Sequence, residues 1–272
     1  MARVALGLAY DGSPWLGWQT QPGGRTVQDT LESALSRFLA RPASTICAGR
    51  TDTGVHAFTQ VVHLDTDVVR RPESWVRGLN ALLPDSIAIQ WAQPVSDEFH
   101  ARFSATARTY IYVIRNARVR SPMSHGKVGW VYHALQLDRM RNAAQRVVGK
   151  HDFSSFRSSE CQAASPVREL AALDVEQCGE YFFFRFTANA FLHHMVRNLM
   201  GALVYVGQGK KDAEWMDELL AARDRCRAAP TFSPHGLYLA HVQYPVQFGL
   251  PIAQAGAALA AHTGMTGHFG SV

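Results

Sequence analysis

The sequence predicts an α+β protein built from two similar halves, each a largely antiparallel sheet with helices on one side. Three observations predict it. The first hundred residues read β-α-β-β-α-β. The next 140 repeat that rhythm loosely. Ile87, Ile89 and Trp91 alternate in one strand segment and Tyr110, Tyr112 and Ile114 share a face in another, whereas the helical segments carry apolar stripes at helical spacing. The halves divide as 1–105 and 106–247, followed by a Gly/Ala-rich tail over 248–272. Identity between the halves is too weak to call them a repeat.

Each element has its own reason. RVALGLAY, 3–10, suggests a strand. The loop DGSPWLGWQTQPGGR, 11–25, is rich in Gly and Pro and holds two tryptophans. Thr26 is a helix cap with Asp29 as a capping-box-like partner, and Val27, Leu31, Ala34, Leu35 and Phe38 follow at helical spacing. Residues 44–48 form a short strand, and Val55 to Leu64 form another. A helix fits 72–83, with Trp75, Leu79, Leu82 and Leu83 on one face and Pro84 ending it. SIAIQWAQPV, 86–95, alternates as a strand.

In the second half, ARTYIYVIRN (107–116) is a strand with Tyr110, Tyr112 and Ile114 on one face. Leu137, Met140, Ala144 and Val147 make a helical stripe that Gly149 stops. Strands follow at 167–175 and 181–189, helices at 192–207 and 212–224, and a last strand at 236–244. The tail from 249 holds no Asp, Glu, Lys or Arg, and eleven of its 24 residues are Gly or Ala. It cannot build a core and reads as a disordered extension.

Composition narrows the function. The chain has 272 residues, is 47% hydrophobic and carries a net charge of +5, so it can bury a full core. It contains no run of eighteen apolar residues, which excludes a membrane helix. MARVALGLAYDG reads as a strand entering the fold rather than a secretion signal. The four cysteines form no C-x-x-C pair, so reduced thiols in a cytoplasmic protein are expected. Residues 100–150 hold ten Lys or Arg against one acid, Asp138. A polyanion is the natural partner for such a stretch, with Arg102, Arg108 and Lys150 as candidate phosphate contacts; a solvated basic surface is the bland account.

No P-loop, dinucleotide fingerprint, H-E-x-x-H or G-x-S-x-G motif occurs, and no cofactor or metal is expected. His193 and His194 are adjacent, so on a helix they point about 100° apart and make poor co-ligands. The candidate chemistry centres on AGRTDTGVHA, 48–57, which sets Asp52 on a strand-to-strand connection. A turn aspartate bonding its own backbone is the simpler account of an isolated D-T-G. A carboxylate nucleophile would need a cation to keep it ionised and aimed. Arg50 and Arg197 are the candidates, the latter set among Met195, Val196, Leu199 and Met200, where an unpaired Arg is rare. A helix-end arginine reaching solvent is the alternative for Arg197. Tyr110 is either a core tyrosine or a ring that stacks on a base and exchanges a proton.

These residues resemble a known family. GRTDTGVHA (49–57) is similar to the signature of the pseudouridine synthases, specifically the tRNA pseudouridine synthase A family, and matches G-R-T-D-x-G-V-H at every fixed position. YDGSPWLGWQTQP, LNALLP, FHARFSATARTYIYVI, HDFSSF, FLHHMVRNLMG and APTFSPHGLYL agree, so that the resemblance covers about residues 3–245. It implies two halves joined into one extended sheet with an active-site cleft between them. It implies Asp52 as the catalytic aspartate, Tyr110 as the active-site tyrosine and Arg197 as the aspartate's basic partner. It further implies Arg50 as a residue holding the flipped nucleotide, Leu237 as an apolar pocket residue, and a metal-free homodimer. The implied reaction isomerises uridines 38 to 40 in the anticodon arm of tRNA.

One carboxylate suits that reaction. Glycoside hydrolysis ordinarily uses two, but here the leaving group is the substrate's own pyrimidine anion, which delocalises its charge. The residues leave open attack at C1′ or removal of a ribose proton, and either Tyr110 or a water as base for the C5 proton. Two rival classes remain: a non-catalytic RNA-binding module, which gains nothing from an acid beside phosphates, and a nucleoside hydrolase, which would release free base.

Overall fold

The computed structural model describes residues 2–251. Most of the tail expected to be disordered, residues 252–272, lies outside the described residues. In chain order the elements are β1 (Ala2–Tyr10), α1 (Val27–Leu39), β2 (Ile46–Cys47), β3 (His56–Thr66), α2 (Pro72–Asn80), β4 (Ile87–Val95), β5 (Ala107–Asn116), β6 (Gly129–Val131), α3 (Leu137–Gln145), β7 (Gly149–Asp152), β8 (Val167–Cys178), β9 (Tyr181–Ala188), α4 (Met195–Gly207), α5 (Trp215–Ala222) and β10 (Leu237–Gln243). This is the mixed α+β class that the segment order predicts. No helix among the described residues is long and apolar enough to cross a membrane.

The chain forms two compact units. The first takes residues up to Thr106 together with the chain from Tyr238 onward. Its strands run β4-β1-β3-β10, with β2 paired to the far part of β3. β1 is antiparallel to both β3 and β4, whereas β10 runs parallel to β3, with Tyr238 opposite His56. Alternation in β1 and β3 sends Leu6, Leu8, Val62 and Leu64 into the core with Leu31 and Leu35 of α1. Thr26 caps α1 by accepting the Asp29 N–H, which satisfies one of the orphan donors of the first turn.

Helix α2 ends at Asn80, three residues before the predicted end. Asn80 turns its side chain to β4, donating to the Ile89 carbonyl at 2.9 Å and accepting the Ile89 N–H at 2.7 Å. Leu82 and Leu83 both donate to the Leu79 carbonyl in a tight turn, since the residue before Pro84 is disfavoured in helical geometry. The first residues of the tail also pack here. Gln93 donates to the Phe248 and Gly249 carbonyls, and the Phe248 ring meets Phe99 edge-on at 5.2 Å.

The second unit spans Ala107–Leu237. Its strands run β5-β9-β8-β7, and β6 pairs parallel with β5. Phe182, Phe183, Phe184 and Phe186 of β9 are all buried, so this strand is covered on both faces. Two short strands, β6 and β7, were not predicted: GWV and GKHD are too short to show a period. Gly149 stops the helical stripe as expected, and its φ of 114° then opens β7. Helix α4 starts three residues later than predicted, after His194 in left-handed geometry at φ 62°. Almost all of α4 is buried, as its apolar circumference requires.

Candidate active site

In the first unit the GRTDTGVH segment is a turn whose every backbone feature has a cause. The Asp52 carbonyl accepts the Val55 N–H at 3.1 Å, and Gly54 stands at φ 79°. A positive φ at the third turn residue favours glycine, which explains the motif's second Gly. The turn is then held from three sides. From β1, the Tyr10 hydroxyl bonds the Thr51 hydroxyl at 2.7 Å. From β3, Gln60 donates to the Gly49 carbonyl at 2.6 Å. From the loop 11–25, the Trp18 N–H donates to the Thr51 carbonyl at 2.9 Å.

Two loop glycines permit that approach. A Cβ at Gly12 would lie 2.0 Å from the Val55 carbonyl oxygen, and one at Gly17 2.8 Å from that of Thr51. His56, the motif's histidine, is 2% exposed. Its Nδ1 accepts the Gly12 N–H at 3.0 Å, and its ring stacks on Tyr238 at 4.6 Å. It therefore fastens the loop and β10 to the start of β3. Asp52 is left half-buried at the crest of this turn, and Arg50 is exposed. Next to them, burial pushes the Cys47 thiol up to about 11, against the opposing pull of Arg50.

The second unit holds Tyr110, Arg197 and Leu237. Tyr110 is 8% exposed, and its ring meets Phe191 edge-on at 5.2 Å. Arg197 is half-buried in the first turn of α4. Its Nε donates to the Phe232 carbonyl at 3.0 Å, and the Phe232 N–H returns a bond to the Arg197 carbonyl at 3.1 Å. Helix start and the 229–236 loop are thus tied reciprocally. Buried Asn198 reinforces the tie: it donates to the Phe156 carbonyl at 2.8 Å and accepts from Thr231 at 2.7 Å and Arg225 at 3.1 Å. At the loop's end, Gly236 stands at φ 85°, and a Cβ there would lie 2.3 Å from the Val113 carbonyl oxygen. Leu237, 4% exposed, follows directly.

The basic stretch is less unbalanced in the fold than along the chain. Arg115 pairs with Glu180 and Arg139 with Asp212, each at 2.7 Å, and Arg146 binds both Glu214 and Asp217. All these acids lie beyond residue 150, outside the window that looked acid-poor. Of the candidate phosphate contacts, Arg102 and Lys150 are exposed, whereas Arg108 is 9% exposed and donates to the Asn189 carbonyl at 2.8 Å. The positioning groups Tyr10, Gln60, His56, Asn198, Thr231 and Arg225 escaped the sequence reading. The motif strings contain several of them, but only the fold shows which backbone group each one holds.

Comparison with known proteins follows the same segments. The family model described as tRNA pseudouridine synthase matches residues 8–104 and 143–245. A protein of Bordetella parapertussis named tRNA pseudouridine synthase A is 59% identical over 261 residues, covering 95% of this chain and 97% of its own. Proteins of the same name from Bordetella petrii and Paraburkholderia xenovorans are 61% and 59% identical, covering 92% and 94% of this chain and 94% and 95% of theirs. With the signature turn built as described and the match running through both units, the chain belongs to the tRNA pseudouridine synthase family.

Proposed function

We propose that the chain isomerises uridine to pseudouridine at positions 38, 39 and 40 of the tRNA anticodon arm, with Asp52 as the nucleophile. One observation carries the reading: a single carboxylate stands on a turn braced by β1, β3 and the 11–25 loop, in a chain of this family. Bracing matters because attack needs the reacting atoms held near contact distance without reorganisation.

In this reading Asp52 attacks C1′, and the N1–C1′ electron pair leaves with the uracil ring. The detached ring rotates, C5 attacks C1′, and the carboxylate departs. The proton on C5 is then lost to a base, a role proposed for Tyr110, and N1 takes up a proton from solvent, so that the net change is an isomerisation. Arg197 is proposed as the cation that keeps Asp52 ionised, on the strength of the FLHHMVRNLMG match. Arg50 is proposed to fill the space that the flipped uridine vacates, and Leu237 to wall the base pocket. Arg102 and Lys150 are exposed and suited to phosphate contact. Arg108 fits that role less well, being nearly buried against Asn189. A cytoplasmic homodimer completes the proposal; a single-chain mass in sedimentation velocity would remove the dimer.

The test is tritium release from tRNA carrying C5-tritiated uridine. Forming the C1′–C5 bond must expel that hydrogen. Wild type should release it, and Asp52→Asn should lower release on the order of 10⁴-fold while folding and binding tRNA normally. Absence of release from folded wild type, or free uracil in its place, would defeat the reading.

A further inference from the structure

Within the second unit, residues 115–130 and the 233–235 segment enclose a cleft of about 630 Å³. That is the size of a site for a nucleotide-scale ligand. Its lining includes Arg115, Arg120, His125 and His235 with the hydroxyls of Ser121, Ser124 and Ser233, and no carboxylate. The arginines differ in role. Arg115 is held by Glu180 and donates to the Val119 carbonyl at 2.7 Å, so it shapes the rim. Arg120 is exposed and makes no ion pair among the described residues.

Trp130 forms one wall. Its indole N–H donates to the Ala117 carbonyl at 2.8 Å, which fixes the ring edge, while the residue remains 44% exposed. The His125 and His235 rings meet at 5.6 Å. Burial first, and then His125, hold His235 below its ordinary range, so it enters the cleft as a neutral hydrogen-bonding group near pH 7. A fixed aromatic wall, an arginine with no carboxylate to neutralise it and several neutral donors together match a nucleotide: a base to stack and a phosphate to bind.

The cleft is distinct from the proposed uridine pocket. Trp130 is in register with Arg115 on β5. Arg115 follows Tyr110 by five residues along that strand, about 16 Å at ~3.3 Å per residue. We propose that this cleft grips one nucleotide of the substrate tRNA away from the uridine being modified, with Arg120 on its phosphate and Trp130 under its base. The proposal rests on the functional reading above for the identity of the RNA.

The test measures the Kd of unmodified tRNA across a range of salt for wild type, Arg120→Glu, Arg120→Gln, Trp130→Ala and a control, Arg77→Glu, on the exposed side of α2. Arg120→Glu should weaken binding about tenfold and flatten the log–log salt slope by about 1. Arg120→Gln should weaken it less, and Trp130→Ala about tenfold. Arg77→Glu should change it by less than about twofold, since it reports only general charge. Binding by Arg120→Glu equal to wild type, or an equal loss in Arg77→Glu, would overturn the cleft. Unchanged circular dichroism of Arg120→Gln guards against misfolding. Tritium release is read on the same samples: its absence in wild type would count against the isomerase, while the Kd series would still decide the cleft.

Discussion

The turn that carries Asp52 and the helix start that carries Arg197 are built by opposite means. The Asp52 turn is fixed chiefly through its backbone: glycines at Gly12, Gly17 and Gly54, and carbonyls at Gly49 and Thr51 that accept from neighbouring elements, with the Tyr10–Thr51 hydroxyl pair as its side-chain tie. The Arg197 site is made of side chains, buried Asn198 with half-buried Thr231 and Arg225. Asn198, Thr231 and Arg225 form a closed polar network that fixes the loop whose carbonyl receives Arg197. A backbone-built site tolerates no added volume. A network-built site tolerates volume better than it tolerates the loss of one polar partner.

The largest expected effect would sharpen that contrast at the functional level. Arg197→Ala should reduce turnover by about 10²-fold or more while tRNA binding persists, because the proposed role is to hold a charge rather than to bind RNA. Near-normal turnover in that variant would end the proposed pairing with Asp52.

Next in size is Gly12→Val. Its Cβ would lie 2.0 Å from a backbone oxygen, which a backbone-built turn cannot relieve. We expect roughly 3 kcal/mol of lost stability in urea denaturation, with turnover lost as well. A loss under 1 kcal/mol would show that the turn yields and would break the comparison from the first side.

Asn198→Ala tests the other side. It strands the Phe156 carbonyl and takes the acceptor from the Thr231 O–H, which keeps only the bond it receives from Arg225, at a cost of about 2 kcal/mol. Asn198→Leu, which fills the space but restores no bond, should be no better. Recovery of wild-type stability in the leucine variant would show that packing, not the network, holds the helix start.

The smallest effect is a pH dependence within the first unit. His63 is buried, and its Nδ1 accepts the Ala101 N–H at 3.1 Å. Burial, helped by Arg3 and His100, lowers its pKa from 6.5 to about 4. Between those values the unfolded chain binds the extra proton and the folded chain does not. Stability from this group is therefore complete above pH 6.5 and is lost as pH falls toward 4, with a slope of at most about 1.4 kcal/mol per pH unit. Thermal melts between pH 7.5 and 5 should show a shallower loss in His63→Gln than in wild type. Equal slopes would remove His63 as the cause.

Legibility followed the same division. β5 was readable to the residue, because its run of β-branched and aromatic residues, Thr109 to Ile114, is bounded by Arg108 and by Arg115 and Asn116, although the strand proves buried on both faces. The cap of α1 was readable because Thr26 and Asp29 interact locally. The end of α2 was not: the bonds from Asn80 to Ile89 come from a strand nine residues away. The acid-poor stretch from 100 to 150 is partly balanced in the fold for a related reason. Arg139 and Arg146 meet acids some seventy residues further along, a distance that no local charge window spans.

By itself the sequence determined the α+β class, the order of the main elements and the signature turn with its aspartate, since periodicity, capping and glycine-dependent turns act between residues close in the chain. Tertiary structure alone decided that β10 returns to lie parallel to β3, and that His56 is a brace. It also decided that Asn198 closes a network with Thr231 and Arg225. Those outcomes depend on which distant backbone groups would be left unsatisfied on burial, and that is set only when the sheets and helices have packed.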